Sequence, residues 1–145
     1  MTNAELPLVT LLLGSNLGDR GGALAGAERR LDALLGEAAV KRTEILETEA
    51  VGFDGPPFLN RILQYRCHIG ALELLDACKN IERQMGRTDS PEFDANGQRI
   101  YHNRIIDIDI LFFGDLTLDS PRLTLPHPQV FSRPFVGKLL AMLQP

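Results

Sequence analysis

The sequence is poor in several residue types, and each shortage excludes a class of protein. Only two cysteines occur in 145 residues, Cys67 and Cys78, and their spacing is not that of a metal site. Neither a disulfide framework nor thiol chemistry is therefore expected. No apolar run approaches the roughly 20 residues of a membrane span, and the N-terminus lacks a basic region followed by a long apolar run. We expect a cytoplasmic protein that does not associate with a membrane.

Positive charge is not in excess either, because 15 basic residues stand against 19 acidic ones for a net charge of −4. Proteins that bind nucleic acid generally carry a basic surface, so nucleic acid is not an expected partner. Five of the arginines in the second half of the chain nevertheless flank its acidic segment, which suits a local anion site: Arg87, Arg99, Arg104, Arg122 and Arg133. The length fits one domain, residues 1–145, and no obligate protein partner is evident.

The most informative stretch is residues 103–114. It is apolar from 105 to 113 except at Asp107 and Asp109, which predicts a buried strand. Side chains alternate across a strand, so both carboxylates lie on one face, roughly 7 Å apart. Two ionised acids in an apolar strand are costly unless positive charge compensates them. The pattern is typical of a Mg²⁺ site that also admits phosphate oxygens. The alternative is a pair of structural acids bonded to arginines such as Arg104.

Hydrophobic periodicity predicts the other elements. They are a strand at 7–13, a helix between Asp19 and Gly36, a strand at 38–48, a strand at 62–69, a helix at Ala71–Met85, a short strand at 115–118 and a closing helix at 133–143. With the acidic strand, this order corresponds to two split β-α-β units. The predicted fold is α+β, a ferredoxin-like α/β sandwich with a mainly antiparallel sheet and extra C-terminal elements.

Three further features bear on a binding site. The turn at 14–18 is rich in glycine but has no phosphate-loop signature, so packing of the turn is favoured over phosphate binding. The segments 49–57 and 87–102 read as loops, and long loops often cover ligands. Glu82 lies at the edge of the buried stripe of the second helix. It either points into a pocket or forms an exposed salt bridge.

Five short motifs follow one another along nearly the whole chain. They are Gly14-Ser-Asn-Leu-Gly-Asp19, Phe58-Leu-Asn60, Ile81-Glu82 with Met85-Gly-Arg87, Arg104-Ile-Ile-Asp-Ile-Asp-Ile-Leu-Phe-Phe-Gly114, and Leu123-Thr-Leu-Pro-His127 with Arg133 beyond. In this order they resemble the 6-hydroxymethyl-7,8-dihydropterin pyrophosphokinase family. The resemblance implies transfer of the terminal diphosphate of ATP to the hydroxymethyl group of the pterin, with release of AMP, in folate biosynthesis.

The resemblance also implies roles for individual residues. Asp107 and Asp109 match the ligands of two Mg²⁺ ions that bridge the ATP phosphates, and they act in catalysis together with Arg87 and Arg104. The positions that match pterin contacts are Thr48, Val51, Phe58, Asn60 and Phe135. The positions that match ATP contacts are Glu82, Arg87, Arg104, Ile110, Arg122, Thr124, His127 and Arg133.

The chain departs from the family pattern in one region. Thr88-Asp-Ser90 and Tyr101-His-Asn-Arg104 stand where the family commonly has more basic residues and a Trp-Gly-Pro-Arg stretch, and tryptophan is absent from the whole sequence. Arg99 and Tyr101 are the candidates to replace the missing groups.

Two other functions remain open at this point. A nucleotidyltransferase also pairs Gly-Ser with Asp-x-Asp, but within roughly a dozen residues, whereas 92 positions separate Ser15 from Asp107 here. A regulatory module that binds a small molecule on the same sandwich would need no metal.

Overall fold

The structure, a computed structural model, describes residues 5–50, 55–87, 92–93, 95–96, 99–100 and 104–143. Its elements are β1 (Leu8–Ser15), α1 (Arg20–Leu35), β2 (Lys41–Arg42), β3 (Leu46–Thr48), β4 (Phe58–Arg66), α2 (Ala71–Gln84), β5 (Glu92–Phe93), β6 (Arg99–Ile100), β7 (Asp107–Phe113), β8 (Leu118–Asp119), β9 (Thr124–Leu125), α3 (Gln129–Ser132) and α4 (Pro134–Ala141). No helix in these ranges is long and apolar enough to cross a membrane.

A central antiparallel sheet carries the fold. Both β2 and β3 pair with β4, β4 pairs with β1, and β1 pairs with β7. In each half, one strand lies between the two strands that a helix connects, which is the arrangement of split β-α-β units. The predicted α+β sandwich is therefore confirmed.

Helix α1 begins and ends where its sequence predicts. The side chain of Asp19 accepts a hydrogen bond of 3.0 Å from the backbone of Gly22, which satisfies one of the free N–H groups of the first turn. Gly36 ends the helix in the left-handed conformation with φ of 82°, which glycine adopts without a steric penalty.

Both faces of the sheet are covered by helices. Leu24, Leu31 and Ile81 of α1 and α2 belong to the larger core, which packs on one face. On the other face a second core joins the sheet to the C-terminal helix, through Leu12, Ile62, Leu111, Val136, Leu139 and Leu143. Full burial of each such side chain contributes roughly 1.5–3 kcal/mol. The sheet is therefore a rigid base on which side chains at its ends are held.

The predicted strand at 38–48 is wrong as a single element, because Thr43 divides it into β2 and β3. The Thr43 hydroxyl, rather than its carbonyl, accepts the backbone N–H of Ile62 at 2.9 Å. The Thr43 carbonyl turns instead to Arg61, whose Nη2 donates to it at 2.8 Å. A side-chain oxygen thus accepts a strand-to-strand hydrogen bond that a backbone carbonyl would accept in a continuous strand.

Other boundaries also differ from the predictions. Strand β4 spans Phe58–Arg66 rather than 62–69, so the Phe58-Leu-Asn60 motif belongs to the strand itself. The segment 87–102 contains the paired strands β5 and β6, and the remaining residues between 88 and 103 lie outside the described ranges except 95–96. The short strand expected at 115–118 occurs as β8, paired with β9. The closing helix expected at 133–143 occurs as α4, Pro134–Ala141, and the short helix α3, Gln129–Ser132, precedes the predicted range.

Candidate active site

A cavity of about 500 Å³ lies where β1 ends and β7 begins, and its lining includes Glu82 of α2 as well as Phe135 of α4. Every predicted site residue that the structure describes contributes to its lining: Thr48, Phe58, Asn60, Glu82, Arg87, Arg104, Asp107, Asp109, Ile110, Arg122, Thr124, His127, Arg133 and Phe135. Val51 lies outside the described residues. The fold therefore brings together residues that are up to 87 positions apart in the chain, from Thr48 to Phe135.

Strand pairing places the two halves of the cavity side by side. In the sheet register Gly14 lies between Asn60 of β4 and Asp107 of β7. A Cβ atom on Gly14 would lie only 3.2 Å from the Asn60 Oδ1 and 3.6 Å from the Phe58 ring. The glycine is needed for close packing at this point of the cavity, which agrees with the packing role favoured from the sequence.

Asp107 is held by two guanidinium groups. Nη1 of Arg87 donates to its Oδ1 at 2.8 Å, and Nη1 of Arg104 donates to its Oδ2 at 2.9 Å. Burial alone would raise the pKa of Asp107, but the charges of Arg104 and Arg87 outweigh it and lower the pKa. These contacts are those of the alternative reading, in which the acids are bonded to arginines.

Asp109 has a different environment. Its Oδ2 accepts a hydrogen bond of 2.8 Å from Nε2 of Gln129, and within the described part of the chain it forms no salt bridge. Burial and the negative charge of Asp107 raise its pKa. Arg87 and Arg104 therefore compensate Asp107, whereas among the described residues Asp109 has no guanidinium partner, so arginine alone does not account for both acids.

The acidic pair fits a magnesium site. Carboxylate oxygens are the ligands that Mg²⁺ prefers, and this ion usually binds one or two carboxylates while keeping positions for water and substrate phosphate. Among the described residues no group of three histidine, cysteine or acidic side chains could enclose a metal ion.

Glu82 anchors α2 to the acidic strand. It is only 7% exposed, and its Oε2 accepts a hydrogen bond of 2.7 Å from the backbone of Ile108 and lies 3.2 Å from Nη1 of Arg87. Burial, together with the charge of Asp107, raises its pKa to about 7. The exposed salt bridge considered from the sequence is therefore wrong. Glu82 points into the cavity and fixes the orientation of Arg87.

Aromatic and amide side chains also line the cavity. Phe58 comes from β4 and Phe135 from α4. Nδ2 of the buried Asn60 donates to the Leu46 carbonyl at 3.1 Å and to the Thr48 hydroxyl at 2.8 Å, which leaves its Oδ1 as an acceptor. Such a surface suits a flat ligand with polar edges.

Cationic and polar groups complete the rim. His127 is held by the hydrogen bond that its Nδ1 accepts from the backbone of Gln129 at 3.1 Å, so its Nε2 carries the proton and can donate. Burial lowers its pKa, which favours the neutral form. Arg122 pairs with Asp76 at the surface, and Cζ of Arg133 lies 5.9 Å from the centre of the Phe135 ring.

Several residues that line the cavity are absent from the predicted site, and two of them carry polar groups that bear on its chemistry. Gln129 binds Asp109, and Lys79 of α2 contributes to the lining. Neither has a motif of its own, because one lies on a four-residue helix and the other on the polar side of an amphipathic helix. Only the position of Gln129, just after the Pro-His-Pro segment, points to it.

Paired carboxylates, arginines and aromatic rings line one cavity, which is the combination expected of an enzyme that transfers phosphoryl groups from a nucleotide to a flat acceptor. The model of the 7,8-dihydro-6-hydroxymethylpterin-pyrophosphokinase family matches residues 10–145. The chain belongs to this family, as its motifs predict. It is an ATP-dependent diphosphotransferase that converts hydroxymethyldihydropterin to its diphosphate for folate biosynthesis.

Individual relatives agree with the family match. The chain is 39% identical over 142 residues to the 2-amino-4-hydroxy-6-hydroxymethyldihydropteridine pyrophosphokinase of Porphyromonas gingivalis, which covers 97% of the chain and 92% of the relative. The corresponding Bacillus subtilis enzyme is 33% identical over 132 residues, 90% of the chain and 74% of the relative. The mitochondrial folate synthesis bifunctional protein of Pisum sativum is 40% identical over 131 residues, 88% of the chain and 23% of that protein. The nucleotidyltransferase and the regulatory module are thereby excluded.

Proposed function

We propose that Asp107 and Asp109 hold two Mg²⁺ ions and that the surrounding cavity binds ATP on one side and the pterin on the other. The observation that carries this proposal is the unequal compensation of the two acids. Among the described residues Asp107 has two guanidinium partners, whereas Asp109 has none and accepts a hydrogen bond from the Gln129 amide. Bound there, the ions would neutralise the phosphate oxygens of ATP and polarise the phosphorus that is attacked.

The cationic side chains of the chain would bind the phosphates directly. Arg87 and Arg104 already lie at Asp107, so phosphate oxygens that reach the acidic pair come within range of both planar guanidinium groups. The protonated Nε2 of His127 can donate to another oxygen. The remaining proposed nucleotide contacts are Glu82, Ile110, Arg122, Thr124 and Arg133.

The aromatic side would bind the pterin. We assign the two faces of the ring to Phe58 and Phe135, and its polar edge to Asn60 and Thr48, whose amide and hydroxyl groups are already oriented by hydrogen bonds. Val51 is proposed for the same edge from the family resemblance alone.

The reaction then needs position more than covalent chemistry. The hydroxymethyl oxygen of the pterin loses its proton to solvent and forms a bond to the β-phosphorus of ATP, and the bond from that phosphorus to the oxygen shared with the α-phosphate breaks, so AMP leaves with the bonding electrons on that oxygen. Phe58 and Phe135 would hold the hydroxyl in line, and Arg87 and Arg104 would stabilise the charge that develops on the phosphate oxygens.

We further propose that residues 1–145 act as one domain in the cytoplasm without an obligate protein partner. One sheet with both faces covered positions the residues that line the cavity, which supports a single domain. ATP is a cytoplasmic metabolite, and Cys67 and Cys78 are buried free thiols, as expected in a reducing compartment.

Turnover should depend strictly on Mg²⁺. With ATP and the hydroxymethyl pterin, AMP formation followed by chromatography should rise with the square of free Mg²⁺ at limiting metal, because two ions are needed. Calorimetry should show ATP binding that is lost in EDTA. ATP binding of equal strength with and without the metal would contradict the proposed role of the acidic pair, and a first-order dependence would contradict the second ion.

Replacing Phe135 by alanine should weaken pterin binding selectively. Stacking of an aromatic side chain on a base contributes about 1–3 kcal/mol, so KM for the pterin should rise roughly 10- to 100-fold while KM for ATP stays nearly constant. Phe131→Ala is the matched control, because Phe131 is 79% exposed on the neighbouring helix and outside the cavity lining. Equal pterin KM values for the two variants would refute the stacking role.

A further inference from the structure

A buried asparagine in the turn after β1 contacts both halves of the active site. Asn16 is 1% exposed. Its Nδ2 donates to the carbonyl of Pro56 at 3.1 Å, and its Oδ1 accepts from the backbone N–H of Arg104 at 2.7 Å. The backbone N–H of Asn16 also donates to the Arg104 carbonyl at 3.0 Å. One side chain therefore joins segments that lie 40 and 88 positions away along the chain.

Each of these segments carries a different part of the site. Pro56 lies two residues before Phe58, which lines the aromatic side of the cavity. Arg104 enters the acidic strand, and its guanidinium group donates to Oδ2 of Asp107 at 2.9 Å. Both hydrogen bonds are formed by the same planar amide group of Asn16. If the amide rotates to keep its hydrogen bond to one partner, it changes the geometry of the hydrogen bond to the other.

The loop before Phe58 has a second anchor that does not extend to the acidic strand. Nη1 of Arg20 donates to the Pro57 carbonyl at 2.8 Å and lies 3.1 Å from Glu47. Arg20 is partly exposed and makes no contact with Arg104 among the contacts of the described residues. It therefore fixes the aromatic side alone, whereas Asn16 fixes both sides.

We propose that Asn16 is a positioning residue that couples pterin binding to ATP binding. The inference rests on the proposed roles of Phe58 and of Asp107 with Arg104. Ordering of residues 55–58 around the pterin fixes the Asn16 amide, the amide fixes the backbone of Arg104, and the guanidinium group of Arg104 is thereby placed for phosphate. By linkage the same coupling acts in the reverse direction, so that bound nucleotide tightens the binding of the pterin by an equal factor.

Calorimetry with the intact protein tests the inference. The affinity for 6-hydroxymethyl-7,8-dihydropterin is measured with and without saturating Mg²⁺ and α,β-methylene ATP, which cannot react, and the ratio of the two dissociation constants is the coupling factor. Couplings of about 5- to 150-fold are usual, and we expect a factor of roughly 10 or more for the unmodified chain. Asn16→Ala should bring the factor close to one.

Two further variants separate coupling from simple packing. Asn16→Asp keeps the acceptor for the Arg104 N–H but loses the donor to Pro56, so it should bind the ATP analogue nearly normally and still lose the coupling. Arg20→Met should weaken pterin binding equally with and without the analogue, which leaves the factor unchanged. Asn16→Asp also serves as the decisive variant if Asn16→Ala does not fold.

The outcomes are distinct from those that test the proposed function. If the Asn16 variants have the same coupling factor as the unmodified chain, the inference is overturned. Normal substrate binding in the same experiment would still support the proposed roles of the site residues. A factor near one in the unmodified chain also overturns it. Loss of Mg²⁺-dependent nucleotide binding in the unmodified chain would instead refute the roles on which the inference rests.

Discussion

Replacing Asp107 by alanine should lower the rate of AMP formation by a factor of about 10³ or more. The change removes one of the two proposed metal ligands, and it also removes the counter-charge of Arg87 and Arg104, which both donate to this carboxylate. Without it, two largely buried guanidinium groups repel each other and lose the geometry that the phosphate oxygens need. The rate is measured at saturating ATP and Mg²⁺, so that weaker nucleotide binding does not mask the loss in the chemical step.

Stability must be separated from catalysis in this experiment. Breaking a buried ion pair costs about 3–5 kcal/mol, so Asp107→Ala is compared with Asp107→Asn, which keeps an acceptor oxygen for the arginines. Both should lose turnover, and the asparagine variant should retain more stability. Asp115→Ala is the matched control, since Asp115 is exposed just beyond the same strand. Turnover within tenfold of the unmodified chain in a folded Asp107→Asn variant would show that this carboxylate does not bind the reacting groups.

The alternation of a strand is why the acidic pair could be predicted from sequence. Asp107 and Asp109 share a face because side chains repeat every two residues, and no tertiary information is needed for that conclusion. The ends of helix α1 could also be predicted from sequence, because Asp19 and Gly36 mark them through local hydrogen bonding and backbone conformation. Features set by a single element are readable from its own residues.

Contacts between distant segments could not be predicted from sequence in this way. The bond from Gln129 to Asp109 and the bonds from Asn16 to Pro56 and Arg104 depend on how separate elements pack, and none leaves a periodic signal. The division of the second strand has the same origin, because the Thr43 hydroxyl replaces a carbonyl in pairing with a strand 19 positions away.

The two aromatic residues of the site show what the family resemblance contributed. Periodicity alone assigns a phenylalanine in a strand or helix to the core, and both Phe58 and Phe135 follow apolar patterns. Their places at the cavity emerge from packing, since β4 begins earlier than its pattern predicts and α4 covers the second face of the sheet. The structure brings them to one cavity, and their contact with the pterin stays a prediction.

Replacing Asp109 by asparagine should stabilise the ligand-free protein and abolish its response to Mg²⁺ and nucleotide. Burial and the charge of Asp107 raise the pKa of Asp109, so its folded form binds a proton more tightly than the unfolded chain does. The stability that this proton contributes is fully present below the unfolded pKa and is lost as pH rises through the folded pKa. Asparagine keeps an acceptor for Gln129 and cannot ionise. The variant should therefore gain stability relative to the unmodified chain as pH rises from about 4.

Melting curves of the two proteins between pH 4 and pH 9 test this expectation. Each unit of pKa shift corresponds to about 1.4 kcal/mol, so the variant should melt at least 2–4 °C higher at pH 9 than the unmodified chain when no metal is added. Mg²⁺ with α,β-methylene ATP should reverse the order, because only a protein that binds them is stabilised by mass action. Asp115→Asn should shift neither curve appreciably. If the difference in melting temperature between the two proteins does not change with pH, Asp109 is already neutralised by its neighbours. If Mg²⁺ and nucleotide stabilise both proteins equally, Asp109 is not a metal ligand.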